Sequence, residues 1–208
     1  MIENIGPTVY NGQSIYNTGS GGGIVAPPLY REQIKSGYYT YVQIGDKYFT
    51  IESLYEDFPG IGSSFSETSP YRLRISRFEN YGYYYNYLAV AKIDEWLVNN
   101  NSPWRVATKQ DFETLLGFVD GDLRLPVTWN VPNGTTNKSF FSAFGSGYLN
   151  SGTEQQIGEN SYFITSTQDD GKNFYLLIHG ATSDTIPSLT NTYFSIRNAW
   201  PVRLVKDV

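Results

Sequence analysis

The sequence predicts an α+β fold: an antiparallel, β-rich domain with two short helices, preceded by an extended arm. Three observations point there. Aromatic and β-branched residues alternate in the first and last parts of the chain, helical periodicity is confined to two short runs between them, and residues 1–28 are polar and rich in glycine. At 208 residues the chain accommodates one sizeable domain and an arm rather than two full domains.

The arm is punctuated by Gly6-Pro7, Asn11-Gly12, Gly19-Ser20-Gly21-Gly22-Gly23 and Pro27-Pro28, a composition that reads as a hinge with an extended exit. Its few apolar residues, Ile2, Ile5, Val9, Tyr10, Ile15 and Tyr16, are too sparse for a core. They suit docking on a partner, where an added strand could pair with a sheet edge and fill small pockets. Leu29–Ser36 reads as transitional. Tyr38–Ile44 and Lys47–Ile51 then alternate across Gly45-Asp46, a two-residue hairpin turn. Phe58–Pro70 is a Gly/Ser/Pro loop, and Tyr71–Ile75 alternates as a strand with its arginines outward. Leu88, Ala91, Glu95 and Trp96 mark a helix that stops at Asn99-Asn100-Asn101. Thr108 and Asp111 form a capping-box-like start for a second helix carrying Phe112, Leu115 and Leu116. From Asp120 onward loops alternate with strands, of which Ser161–Thr165, Phe174–Ile178 and Val202–Val205 are clearest.

Composition narrows the function classes. Aromatic residues make up 16% of the chain and charged residues 17%, a balance that suits tyrosine-bearing contact surfaces. The net charge of −5, with no Lys/Arg run, supplies no footprint for nucleic acid. With no cysteine there is no disulfide, thiolate nucleophile or zinc–thiolate site. The first ten residues lack a basic and then apolar leader, and no segment approaches the ~18 apolar residues of a membrane span. The expectation is a soluble product with no export signal of its own and no membrane insertion.

Six segments, in order, resemble the Fibrobacter succinogenes major paralogous domain, a C-type-lectin-like module. They are Tyr41-Val42-Gln43-Ile44-Gly45-Asp46-Lys47-Tyr48-Phe49 with Glu52-Ser53-Leu54; Tyr81-Gly82-Tyr83-Tyr84-Tyr85-Asn86-Tyr87 with Ala89 and Ala91; Pro103-Trp104-Arg105-Val106-Ala107-Thr108 with Asp111-Phe112 and Leu115-Leu116; Phe141-Ser142-Ala143 with Gly147-Tyr148; Thr165-Ser166-Thr167-Gln168; and Ala199-Trp200-Pro201-Val202-Arg203-Leu204-Val205. The resemblance covers most of residues 38–208. It implies a C-type-lectin-like fold, with terminal strands pairing near one another, two flanking helices and a long loop-rich region with a second small sheet. Two cysteines common in that family fall at Ser102 and Leu204 here, which suits assembly in a reducing cytoplasm. The Glu-Pro-Asn, Gln-Pro-Asp and Trp-Asn-Asp segments of calcium-dependent sugar-binding lectins are missing, so no such site is expected.

The same fold class includes formylglycine-generating oxidases and related iron enzymes, but a chain with no cysteine and only His179 cannot build either site. Asp169-Asp170-Gly171 and Asp120-Gly121-Asp122 read as turns, the tyrosine run 83–85 as packing, and Trp104 and Trp200 as core. By analogy with phage tropism determinants of this kind of fold, binding is mounted on the region between Tyr148 and Asn198. The nominees are Asp169, Asn173, Tyr175, His179, Asp184 and Tyr193. The expectation is therefore a non-catalytic virion protein of a bacteriophage, such as a head fibre, decoration or tail-associated protein, assembled in the host cytoplasm. It would dock on other virion proteins through its arm, form a homo-oligomer, meet a host surface receptor or glycan, and need no cofactor or metal. The alternative is a bacterial cell-surface adhesin or lipoprotein domain whose export segment has been trimmed.

Overall fold

The computed structural model describes residues 28–76, 82–118, 123–124, 139–180, 187–193 and 195–208, together with the backbone of three two-residue strands nearer the amino terminus. Those three are β1 (Glu3–Asn4), β2 (Val9–Tyr10) and β3 (Gln13–Ser14). The domain opens with β4 (Leu29–Ile34), β5 (Gly37–Ile44) and β6 (Lys47–Thr50). Then come β7 (Arg72–Arg74), β8 (Tyr83–Asn86), α1 (Tyr87–Asn99), β9 (Arg105–Val106) and α2 (Lys109–Phe118). The second half holds β10 (Tyr148–Asn150), β11 (Thr153–Gln155), β12 (Asn160–Asp169), β13 (Lys172–His179), β14 (Ser188–Tyr193), β15 (Asn198–Pro201) and β16 (Leu204–Asp207). Every ladder between these strands is antiparallel, so the chain is α+β as expected.

The central sheet runs β1-β4-β5-β6-β16-β9, which brings the last strand back beside the opening hairpin. Gly45, at φ 63°, starts the tight turn between β5 and β6, and the Phe118 ring lies against its bare Cα. A Cβ there would sit 2.5 Å from that exposed ring, which would have to swing aside, so it is the positive φ that calls for glycine. Because side chains alternate along a strand, the sheet has two unlike faces. Leu29, Val42, Ile44, Phe49 and Val205 pack on one side with Phe112 and Leu115 of α2. Tyr39, Tyr41 and Leu204 pack on the other with α1 and Trp104, joined by the half-buried Tyr30 and Tyr48. A five-stranded sheet, β11-β10-β15-β8-β7, covers a third cluster of Tyr71, Ile75, Tyr84, Phe144, Leu149 and Ala199.

The Asn99-Asn100-Asn101 stop of α1 and the Thr108–Asp111 start of α2 form as the sequence suggests, and Asn86 adds an amino-terminal cap to α1 that it did not. The Asn86 carboxamide accepts the Ala89 N–H at 3.0 Å to start α1. At its end Asn101 takes φ 51°, with Asn101 N–H donating to Val98 O and Ser102 N–H to Leu97 O, a Schellman closure. For α2 the box closes both ways: Asp111 N–H donates to Thr108 Oγ1 at 3.2 Å, and Thr108 N–H donates back to Asp111 Oδ2 at 2.7 Å.

Three expectations change. Leu29–Ser36 is not a transition: its first six residues form β4, whose middle is polar because it lies near the sheet margin. The buried stripe of α1 is Ala89, Val90, Ile93 and Leu97, while Ala91 and Glu95 face outward. Val202–Val205 is not one strand. The chain leaves the five-stranded sheet at Pro201, pairs Val202 with Ile164, and enters the central sheet at Leu204.

Candidate functional site

The third sheet, β12-β13-β14, carries the nominated region. Asp170 and Gly171, at φ 45° and 69°, make the two-residue turn between β12 and β13, the left-handed pair that hairpins of this length require. Pairing then aligns residues in rows. Asp169, Lys172 and Tyr193 form one row, and Gln168, Asn173 and Thr192 the next. Adjacent rows face opposite sides of a sheet, so the nominees divide between two surfaces.

Asp169 and Tyr193 are exposed on the first surface, where the Lys172 ammonium lies 5.3 Å from the Tyr193 ring centre. Asn173, Tyr175 and His179 belong to the opposite one. Tyr175 is core lining, stacked on Trp200 at 6.1 Å and meeting Tyr162 edge-on at 5.4 Å, and burial pushes its phenol above the usual range. His179 is half-buried with Nδ1 3.0 Å from the Asn160 carboxamide oxygen, at the far end of the hairpin from Asp169. Asn173 is fully buried, and neither atom of its amide has a hydrogen-bond partner. Asp184 lies outside the described residues, as do Ile2, Ile5, Ile15 and Tyr16 of the arm.

A concavity among the described residues lies next to this second surface. The β12 ladder breaks between Ile164 and Gln168; there Ser166 N–H donates to Ala107 O at 3.0 Å, and the Thr167 hydroxyl accepts Lys109 N–H at 3.0 Å. This bulge ties β12 to the start of α2 and turns Ser166 and Gln168 toward α1. Between them and α1 runs a groove of about 580 Å³. Val90, Ala91 and Val98 supply its apolar part, and Asp94 and Glu95 an acidic wall. Burial raises the Asp94 carboxyl above the usual carboxylate range, opposed by the Val106 N–H that it accepts at 3.1 Å and by the Arg105 charge.

The groove presents carboxylates, amides and a hydroxyl beside an apolar strip, a set suited to holding a polar ligand. The Ser166 hydroxyl donates to Val106 O at 3.4 Å, and among the described residues no group of three or more histidines or carboxylates could hold a metal ion. Its lining was not nominated from the sequence. Asp94-Glu95 is an ordinary outward helix pair until the bulge faces it, and Ser166 and Gln168 stood out only within a longer segment of the family pattern.

The arm contributes at a sheet margin. Val9 and Tyr10 form β2, paired with β3 across Asn11-Gly12. Glu3 and Asn4 pair with Arg31 and Tyr30, so the added strand expected on a partner's sheet lies on this chain's own β4. Compared with known proteins, the chain matches no protein-family model, no curated protein and no solved structure.

Proposed function

We propose that the chain is a non-catalytic virion structural protein of a bacteriophage, a head fibre, decoration or tail-associated protein, that displays a C-type-lectin-like binding domain behind a docking arm. One observation carries the reading. Among the described residues the arm meets the domain through β1, a two-residue strand added antiparallel to the outer side of β4 at the margin of the central sheet. Strand addition at a sheet margin is a mode by which extended segments dock on partners.

The lectin-like assignment is supported by the return of β16 beside β6, by helices on opposite faces of the central sheet, and by a second half built of small sheets and connecting segments. The binding role is supported by the groove beside α1 and by the exposed row Asp169, Lys172 and Tyr193, both held on strands or helices rather than free loops. A receptor or glycan on the host surface is the partner class for these. Fractionation of purified particles tests the reading, together with native mass measurement of the isolated protein. The expected result is co-purification with virions and a symmetric oligomer. A protein found only in host membranes or envelope would favour the adhesin alternative, and a strictly monomeric protein absent from particles would remove the virion role.

A further inference from the structure

The margin of the central sheet shows what the arm recognises. On its inner side β4 is paired along its whole length with β5, from Leu29 opposite Val42 to Ile34 opposite Gly37. On its outer side, among the described residues, only Arg31 and Tyr30 are paired, with Glu3 and Asn4. The β4 margin is therefore an acceptor for a strand entering antiparallel, and Glu3–Asn4 is a strand that fits it.

Nothing in the covalent chain requires both to come from one copy. Residues 5–28 separate the two strands; with the β2–β3 hairpin folded on itself, the remaining ~18 residues can still reach roughly 60 Å, many times the ~4.8 Å between neighbouring strands. The backbone bonds made within one chain and those made between two chains are the same, so the pairing energy does not choose between them. Concentration does. A tether of this length holds its own strand at an effective concentration on the order of millimolar, and copies fixed side by side in an assembly match or exceed that.

We propose that β1 is exchanged between copies: the β4 margin of one subunit receives Glu3–Asn4 of a second copy of this chain when the copies are packed together, and its own when the protein is dilute. The inference rests on the docking-arm reading above and names the partner as the chain itself.

The lack of native cysteine makes the test clean. Opposed Cα atoms in an antiparallel ladder lie ~4.5–5.5 Å apart, within the range a disulfide spans. Arg31 is exposed and Glu3 is its opposite number, so Glu3→Cys in one preparation and Arg31→Cys in another can cross-link only between chains. Gln43→Cys, at an exposed position of β5 away from this margin, replaces Arg31→Cys in the control mixture. The expected result is a Glu3→Cys/Arg31→Cys heterodimer that forms several-fold faster than the control pair and increases with concentration. In the double variant, a ring within one chain should dominate when dilute and give way to chain-to-chain dimers when concentrated. Adding Asn4→Pro, which removes a ladder N–H, should suppress both products. A double variant that closes only on itself at every concentration would overturn exchange, and so would cross-linking no faster than the control. If deletion of residues 1–28 still prevents incorporation into particles in that case, the arm docks on a different virion protein and the functional reading survives without exchange.

Discussion

The two faces of the central sheet bury aromatic rings by different means. The face under α2 is phenylalanine-rich: Phe141 meets Phe49 at 6.0 Å, Phe112 at 6.4 Å and Phe163 at 5.4 Å, all edge-on. The face toward α1 is built from tyrosine and tryptophan, and its hydroxyls are anchored to backbone. Tyr85 O–H donates to Glu56 O at 2.8 Å and its oxygen accepts Glu56 N–H at 3.1 Å, while the Tyr39 oxygen accepts Tyr55 N–H at 3.1 Å. Each face also holds one cation from the closing segment. The buried Arg203 guanidinium lies 4.9 Å and 4.8 Å from the Phe141 and Phe163 ring centres and donates to Thr50 O at 2.7 Å and Ser142 O at 3.1 Å. The Lys206 ammonium sits over Tyr41 at 4.4 Å and Trp104 at 4.6 Å, and pairs with Glu32 at the margin. The first face depends on shape and the enclosed Arg203 charge; the second tolerates the Tyr39 and Tyr85 hydroxyls because both reach backbone partners, while the buried Trp104 Nε1–H has none among the described residues.

Substitutions can break that comparison, beginning with the largest effect. Arg203→Ala should cost about 3–5 kcal/mol, since it strips buried carbonyls of their donor and leaves the Glu52 carboxylate without a compensating charge. Burial already raises the Glu52 carboxyl above its usual range, with Arg203 among the groups opposing that. Phe141→Ala should cost a similar ~3–5 kcal/mol through the cavity it opens. Denaturant midpoints at constant slope would check both. Tyr85→Phe keeps almost the same volume and should still cost ~1–3 kcal/mol, because Glu56 loses partners for its buried backbone N–H and C=O. A loss near zero would mean that the hydroxyls on the α1 side contribute no more than the Phe face does. Lys206→Met should be mildest, at most ~2 kcal/mol, because the stem stays packed and only the cation is lost.

The buried tyrosines of this face and of the third cluster also predict a pH limit. Burial pushes the Tyr41, Tyr55, Tyr71 and Tyr162 phenols up to about 12, and those of Tyr39, Tyr84 and Tyr85 higher still. The unfolded chain ionises these groups near 10.0, so the folded state binds their protons more tightly. Their contribution is fully present below about pH 10 and is lost progressively as the pH rises toward and beyond 12. Urea midpoints tracked against phenolate absorbance should fall over that window, and Tyr85→Phe should make the fall shallower.

What could be read in the sequence was local. The Thr108–Asp111 cap, the Gly45-Asp46 hairpin and the Asp170-Gly171 turn are each set within four residues, and each formed as expected. The period-2 rule also places Asn173, Tyr175 and His179 on one face. It does not tell which face Trp200 and α1 will cover, and so Tyr175 was nominated as a contact residue although its ring packs on Trp200. β4 was hidden because a strand near a sheet margin needs apolar residues at few positions. The groove was hidden because it arises from a bulge held by partners distant in sequence: Ser166 N–H donates to Ala107 O, and the Thr167 hydroxyl accepts Lys109 N–H of α2.

The central claim is that residues 29–208 fold on their own and that the arm serves assembly. Its most direct test is thermal unfolding of the chain lacking residues 1–28, set beside its incorporation into particles. The midpoint should stay within a few degrees of that of the full chain, because the arm's described pairing with the domain is two register pairs on the sheet margin, while incorporation disappears. A truncated chain that unfolds or aggregates would show that β1 is an integral strand of the domain. One that still assembles would show that the anchor lies elsewhere.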